Sequence, residues 1–413
     1  MQKRRVVITG MGCVSPYGLG CSNLQKGIEK NLNPFSDMNI KTSKTKTVNF
    51  PVGLVPNRRS LELDLPREIT RTMPLLSIYA YLAAKEALEQ AGINPTCPNY
   101  NSKLIGTSIS SSFASIEMCG EIFEKYYDIN PKDMPSTLPF KALNHASAFN
   151  IAGAFNLLGR CISSSSACAG GLQSIALGYE AIAYNKADVM VCGGTEEYHP
   201  FLTLTFNKLG IASRTSCKPF DTMRDGIVVS EGAGILILEE REQAIRRNAT
   251  IYAEILGSGM NVSSNISYSD TYSIIDCMSE ALLDAFIFTH EHGINLINAH
   301  ATGTDAGDIA EGKAIEYLLP DVQVNALKGY YGHTMGACGA IETISTILGI
   351  NKGKFYSTKN CNTYDSDCGN INFTNELTNA DNSNSINVLK NSFGLGGTNA
   401  TLVFQAFNKK TYL

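Results

Sequence analysis

No stretch of the 413-residue chain reaches the roughly 20 apolar residues of a membrane span. An apolar secretory core is missing as well. Behind Met1-Gln2-Lys3-Arg4-Arg5 the run Val6-Val7-Ile8 is only strand-length and ends at Gly10, too short for a signal peptide. The expectation is a cytoplasmic protein with no membrane partner. Strong charge of either sign is lacking too: a formal net charge of −4 and a pI near 5.9 give no reason to expect nucleic acid. None of the 12 cysteines stands in CxxC spacing, and a protein without a signal keeps its thiols reduced. What the chain does have is 44% hydrophobic content. That is enough for a large core, in two or three ordinary domains or one duplicated unit.

The most informative residue is Cys168. It closes the run Arg160-Cys161-Ile162-Ser163-Ser164-Ser165-Ser166-Ala167-Cys168, which reads as a short strand crowded with small residues. Beyond it Leu172, Ile175, Ala176, Tyr179, Ile182 and Ala183 recur at helical spacing. The thiol therefore sits at a strand-to-helix turn, where free N–H groups and the helix dipole favour the nucleophilic thiolate. A free cysteine is more often a small buried hydrophobe, so the rest of the chain has to decide. Far downstream, Leu296-Ile297-Asn298-Ala299 delivers His300 into the turn Ala301-Thr302-Gly303-Thr304-Asp305. A second histidine, His333, lies in Lys328-Gly329-Tyr330-Tyr331-Gly332-His333-Thr334-Met335-Gly336-Ala337-Cys338 and leads into a helix with Ile341, Ile344 and Ile347 on one face. Both histidines are expected at strand ends. Each is open to a structural reading, but glycines beside both suit a ligand that must approach the backbone closely. The last segment is Asn391-Ser392-Phe393-Gly394-Leu395-Gly396-Gly397-Thr398-Asn399. It is either a plain hairpin turn or a loop that sets a backbone N–H against a reacting carbonyl.

In this order the four segments resemble the β-ketoacyl-acyl carrier protein synthases of the I/II type, elongating condensing enzymes of the thiolase superfamily. The resemblance begins at Arg4-Arg5-Val6-Val7-Ile8-Thr9-Gly10-Met11-Gly12, passes through Arg224-Asp225-Gly226 and Glu231-Gly232-Ala233-Gly234, and spans nearly the whole chain. It implies an α/β thiolase-like fold of duplicated halves with sheets layered between helices. A weak internal repeat agrees: Val6 to Gly12 echoes Ala253-Glu254-Ile255-Leu256-Gly257-Ser258-Gly259, each a strand breaking into glycines, and the Cys168 turn echoes the one at His333. The expected division is residues 1–250, with the nucleophile, and 251–413, with both histidines and the glycine loop. Residues Asn31 to Arg59, rich in Lys, Asn and Thr, read as a surface excursion.

The resemblance also implies roles. Cys168 takes the acyl group from its carrier. His300 and His333 donate through Nε2–H to the enolate oxygen left when a malonyl thioester loses carbon dioxide, and the backbone N–H groups of Cys168 and Leu395 hold the later tetrahedral oxyanion. Lys328 is assigned an electrostatic and positioning role, since a lysine of ordinary pKa is a poor base at neutral pH. Thr302 and Thr304 match the positions that bind a pantetheine arm, with Phe393 and Phe113 beside the substrate. Arg67 and Arg71 match basic residues that grip an acidic carrier, although Glu68 interrupts them. Glu311 matches a structural or metal-adjacent carboxylate of the family and is given no catalytic role. No metal and no cofactor of the chain's own are expected, because the 4′-phosphopantetheine belongs to the partner acyl carrier protein. Malonyl and acyl thioesters are the substrates, and a homodimer or a pair with a related chain is the expected assembly.

Ketoacyl synthase III enzymes pair histidine with asparagine, and chain-length factors lack the cysteine; this chain keeps Cys168, His300 and His333, so it is expected to be active. Its departures are Leu395, where the family carries a second phenylalanine that gates the cysteine, Phe113, at a pocket position that is often small or aliphatic, and Ser110-Ser111-Ser112, which replace glycines. Either these are neutral changes, or the pocket is reshaped for a short, unsaturated or aromatic chain, as in polyketide and aryl polyene pathways. Two other classes stay open. One is a non-catalytic partner subunit, for which the discriminating observation is whether iodoacetamide or cerulenin labels Cys168. The other is a metal-binding protein, for which clustered ligands are lacking in the sequence.

Overall fold

The computed structural model describes residues 3–97, 100–128, 134–266, 270–287, 293–374, 378–379 and 385–407. Its main elements follow one another twice in similar order. The first set is β1 (Val6–Ser15), α1 (Leu75–Ala91), β2 (Ile105–Ser110), α2 (Ala146–Ala154), β3 (Cys161–Ile162), α3 (Gly170–Ala183), β4 (Val189–Glu196) and β5 (Gly232–Glu240). The second set is β6 (Ala253–Val262), α4 (Thr271–Asp284), β7 (Leu296–Asn298), α5 (Asp305–Leu318), β8 (Gln323–Asn325), α6 (Cys338–Ile350), β9 (Ser385–Gly394) and β10 (Thr398–Phe407).

Strand order makes the duplication visible. Outward from the middle, one half runs β1-β5-β4-β2-β3 and the other β6-β10-β9-β7-β8. In each, the first two pairings are antiparallel and the next two parallel. The halves join where Val6–Ile8 of β1 pairs antiparallel with Ala253–Ile255 of β6.

Three apolar cores set the layers. Helices α3 and α6 lie in the middle, where Leu172, Ile175, Ile341 and Ile344 share a core with Leu236 and Leu238 of β5 and Leu402 and Phe404 of β10. On one outer side Ala83 and Ala87 of α1 and Ile151 of α2 pack on Ile235 and Ile237 of β5. On the other, Ile274 of α4 and Ile315 of α5 pack on Ile297 of β7 and Val403 of β10. The run Ile235-Leu236-Ile237-Leu238 thus splits alternately between two cores. A strand buried on both faces needs an unbroken apolar sequence.

The glycines of the internal repeat do not break their strands. β1 continues through Gly10 and Gly12, and β6 through Gly257 and Gly259. A Cβ on Gly12 would lie 1.9 Å from the Ala83 carbonyl oxygen of α1, and one on Gly259 would lie 2.2 Å from the Cys277 carbonyl oxygen of α4. These glycines let a helix backbone press against the sheet, at equivalent places in the two halves.

Three other expectations change. The strand before Cys168 is only Cys161–Ile162, after which the serine run is irregular. His333 does not end a strand: a short helix, Lys328–Tyr331, stands between β8 and the histidine. Residues 31–59 are no loose excursion either. Phe35–Lys41 and Thr47–Gly53 form an antiparallel hairpin, whose Ile40, Phe50 and Val52 are buried in the same apolar cluster as Cys168 and Phe206. The alternation of Lys, Asn and Thr with these three apolar residues suits a strand pair with one covered face.

Candidate active site

Cys168 sits in a single 3₁₀ turn, Ala167–Ala169, that runs directly into α3. Ala167 takes the left-handed conformation at φ 48°, as does Met335 at φ 51° in the matching turn before α6. Both turns carry a side chain in a backbone region that L-residues avoid, and such strain persists only where surroundings enforce it. The β9–β10 hairpin supplies that enforcement. Ser392 Oγ donates to the Cys168 carbonyl at 3.0 Å, Thr398 Oγ1 donates to the Ser166 carbonyl at 3.0 Å, and Cys338 Sγ from α6 reaches the Cys168 carbonyl at 3.3 Å.

Cys168, His300 and His333 line one cavity, together with Thr302, Thr304, Phe393 and Leu395. Phe206, Ile211 and Ile227 complete an apolar wall that the sequence did not reveal. The two imidazoles meet edge to face with ring centres 5.3 Å apart, and Phe393 stands edge-on to His300 at 5.6 Å. The Leu395 N–H favours the charged form of Cys168, while Leu395 itself is 41% exposed and lines the cavity. Thr302 Oγ1 and Thr304 Oγ1 bond each other at 3.0 Å rather than their own backbone.

Electrostatics correct one expectation. Burial pushes the Cys168 thiol well above its ordinary range, with Cys338 and Glu196 adding to the shift and Lys328 and the Leu395 N–H opposing it. Burial thus outweighs the helix-start donors, and the resting group is the thiol. Burial likewise lowers both histidines well below 6.5, helped by Lys328 and Lys390. At neutral pH they are uncharged. Lys328 Nζ lies 3.3 Å from His300 Nδ1 and 2.5 Å from the His300 carbonyl oxygen. An ammonium only donates, so Nδ1 must accept and the His300 proton must sit on Nε2.

Lys328 is itself fully buried, 2.6 Å from Glu342 Oε1. Burial works against its charge, but Glu342 reverses the balance and its pKa is raised; it stays an ammonium. Glu311 accepts the backbone N–H groups of His300 and Ala301 at 2.9 and 2.8 Å, and the Asn391 amide at 3.0 Å. It fixes the turn that carries His300. The carboxylate of Asp308 holds the next residues by accepting from Gly303 N–H at 3.1 Å.

Other sequence-derived candidates lie outside this cluster. Phe113 does not line the cavity: its ring packs edge-on against Phe201 with centres 6.4 Å apart, beside the apolar cluster that holds Cys168. Glu196 explains this placement, since its carboxylate accepts Ser112 N–H at 2.7 Å and pins the turn just before Phe113. Arg67 and Arg71 are exposed, at i,i+4 spacing along and just past the short helix Arg67–Thr70, with exposed Glu68 beside them. Missed altogether were Glu342, Cys338 and Lys390. Ligand atoms of His300, Cys338 and Glu342 lie within 4.8 Å of one another, a cluster that spacing along the chain does not predict. Ammonium groups already stand 2.6 Å from each Glu342 oxygen, from Lys328 and Lys390; like charge repels a cation there.

Comparison with known proteins finds similar sequences and similar folds over nearly the whole chain. The profile of the beta-ketoacyl synthase N-terminal domain matches residues 3–244, and that of the C-terminal domain matches residues 252–362. A 3-oxoacyl-[acyl-carrier-protein] synthase 2 of Coxiella burnetii is 32% identical over 432 residues, covering 98% of this chain and 99% of its own. The crystal structure of a beta-ketoacyl synthase from Burkholderia phymatum superposes with a TM-score of 0.88 at 31% identity, covering 98% of this chain and all of the other. A type II polyketide synthase ketosynthase, solved with its acyl carrier protein and bound to the hexaketide, reaches a TM-score of 0.84 at 28% identity and covers 98% of this chain.

Proposed function

The chain belongs to the β-ketoacyl synthase family, and from that premise we propose that it elongates acyl chains by decarboxylative condensation with malonyl-acyl carrier protein. The observation that carries this reading is the single cavity in which a helix-start thiol faces two neutral imidazoles. Cys168 attacks the carrier-bound thioester; the acyl group passes to sulfur and the thiol proton ends on the departing carrier thiol. Malonyl thioester then binds. Its carboxylate leaves as carbon dioxide, and the electron pair left behind forms an enolate whose oxygen takes hydrogen bonds from Nε2–H of His300 and His333. The enolate carbon attacks the acyl-Cys168 carbonyl, whose oxyanion is held by the N–H groups of Cys168 and Leu395. Collapse expels the cysteine sulfur, which regains a proton. Thr302 and Thr304 hold the pantetheine arm, Phe393 packs beside the substrate, and Lys328 keeps His300 in its Nε2–H form.

The partners in this reading are an acyl carrier protein, which brings the 4′-phosphopantetheine, and a second subunit, either a copy or a related chain; the setting is the cytoplasm. Mass spectrometry of Cys168 after incubation with a panel of acyl-carrier substrates, then with malonyl carrier, tests the whole scheme. The expected result is an acyl adduct on Cys168 that converts to a carrier-bound 3-oxoacyl product. No adduct from any acyl chain overturns it.

Leu395 favours a second reading of the pathway, in which the same condensation serves a polyketide or aryl polyene chain. A leucine leaves the oxyanion N–H in place but withdraws an aromatic gate. Leu395→Phe should slow loading of Cys168 and shift the chain-length profile, while Phe113→Gly should admit longer saturated chains if the Phe113–Phe201 pair closes the far end of the acyl path, each methylene gained adding about 0.8 kcal/mol. An unchanged profile in both variants leaves ordinary fatty acid elongation.

Carrier docking gives a separate test. Exposed charges steer association and weaken with salt. Arg71→Glu should raise the Michaelis constant for carrier-bound substrate several-fold and leave a small pantetheine thioester untouched. Equal loss on both makes Arg71 structural.

A further inference from the structure

Behind the two histidines lies a second buried lysine. Lys390 is fully buried in the middle of β9, with its Nζ 2.6 Å from Glu342 Oε2 and 2.6 Å from the Asn391 carbonyl oxygen. It also comes within 3.5 Å of the carbonyl oxygens of Asn298 and Ala299, the residues that lead into His300. Lys328 holds the other oxygen of the same carboxylate at 2.6 Å. Two lysines therefore share one carboxylate; burial and Lys328 lower the Lys390 pKa while Glu342 opposes the shift, and with both lysines protonated one positive charge is in excess. A single Lys328–Glu342 pair would be neutral. Burying an uncompensated charge is costly, so the arrangement calls for a use.

We propose that Lys390 is a positioning residue for the condensation, supplying the excess positive charge that keeps His300 and His333 neutral and favours the enolate they bind. This rests on the reading of the site as a ketosynthase. The groups that face the histidines are few. Lys328 approaches His300 from the segment after β8, Cys338 and Glu342 face it from α6, Glu311 supports it from α5, and Cys168 stands across the cavity. Among these the lysines are the only cations, and both lower both histidines. Lys390 does not line the cavity, so it acts on the imidazoles through the field and not on substrate directly.

A charge ladder tests this. Lys390→Met removes the excess charge, Glu342→Gln increases it, and the double variant restores it with Lys328 as the sole cation. The readout is the pH profile of malonyl-acyl carrier protein decarboxylation, alongside melting temperature. A histidine that must be neutral loses activity as pH falls through its pKa, and removing a nearby positive charge raises that pKa. The acid limb should therefore move up by about one pH unit in Lys390→Met, down in Glu342→Gln, and back toward wild type in the double variant. If Lys390→Met does not fold because Glu342 is left half-paired, Glu342→Gln against the double variant gives the same comparison. Acid limbs that coincide in all folded variants overturn the proposal and leave Lys390 a space-filling residue. A wild-type protein that fails to decarboxylate malonyl carrier overturns the ketosynthase reading as well, which separates the two failures.

Discussion

Replacing Cys168 by alanine is expected to lower condensation by at least ~10³-fold, the scale on which covalent catalysts lose rate without their nucleophile. Each of the other buried thiols is placed elsewhere: Cys338, the nearest in function, points its sulfur at the Cys168 carbonyl from the start of α6. It has no Leu395 N–H beside it and does not line the cavity. Product formation within a few-fold of wild type would remove the assignment. Cys168→Gln is more discriminating. Its amide oxygen can fill the oxyanion position at the Leu395 N–H as an acyl-thioester mimic, so malonyl decarboxylation should continue while condensation stops; loss of both marks a damaged site. The resting thiol adds a kinetic signature. Because burial raises its pKa, the thiolate fraction grows with rising pH and alkylation by iodoacetamide should keep accelerating above pH 9. A plateau near neutrality would mean that the helix-start donors win after all.

Much of this site could be read from the chain because its parts are local. The helical spacing from Leu172 to Ala183 sets α3, and the turn before it places Cys168 whatever the rest of the fold does. The strand that delivers His300 and the glycine loop at Leu395 are equally short-range signals, each an apolar run ending in residues that permit a tight turn. What escaped was decided across layers. Gly10 and Gly12 look like strand breakers, yet they are the surface against which α1 packs; only the position of a helix more than sixty residues on gives them meaning. Lys390 looks like the polar residue of an ordinary alternating strand. Its partner Glu342 lies on a helix of otherwise apolar character, and register alone brings them together. The direction of the thiol shift escaped for the same reason, since the sequence displays the helix start but not the hairpin of residues 35–53 that helps bury it. Phe113 packs against the cluster that holds Cys168, but Glu196 and Phe201, neither of which its own sequence neighbours reveal, decide where the ring goes.

Removing either imidazole should stop decarboxylation while sparing acyl transfer in at least one variant. His300→Ala and His333→Ala each delete one donor to the enolate oxygen, and the loss of one such pre-set donor typically costs ~10²–10³ in rate. The two variants should not be identical. His300 is tied to Lys328 through Nδ1 and to Glu311 through its backbone N–H, so its removal also takes away one acceptor of the Lys328 ammonium. His333 is held chiefly by its backbone, which donates to the Val228 carbonyl at 2.8 Å and accepts from Ser230 N–H at 2.9 Å, and its loss is more nearly the loss of a donor alone. Transfer of an acyl group to Cys168, read as adduct mass, is therefore expected to survive better in His333→Ala. Decarboxylation of malonyl carrier, read as released carbon dioxide, is expected to fall in both. Near wild-type decarboxylation in either variant returns that histidine to a structural role, and with it goes the claim that two neutral imidazoles at 5.3 Å form the enolate site.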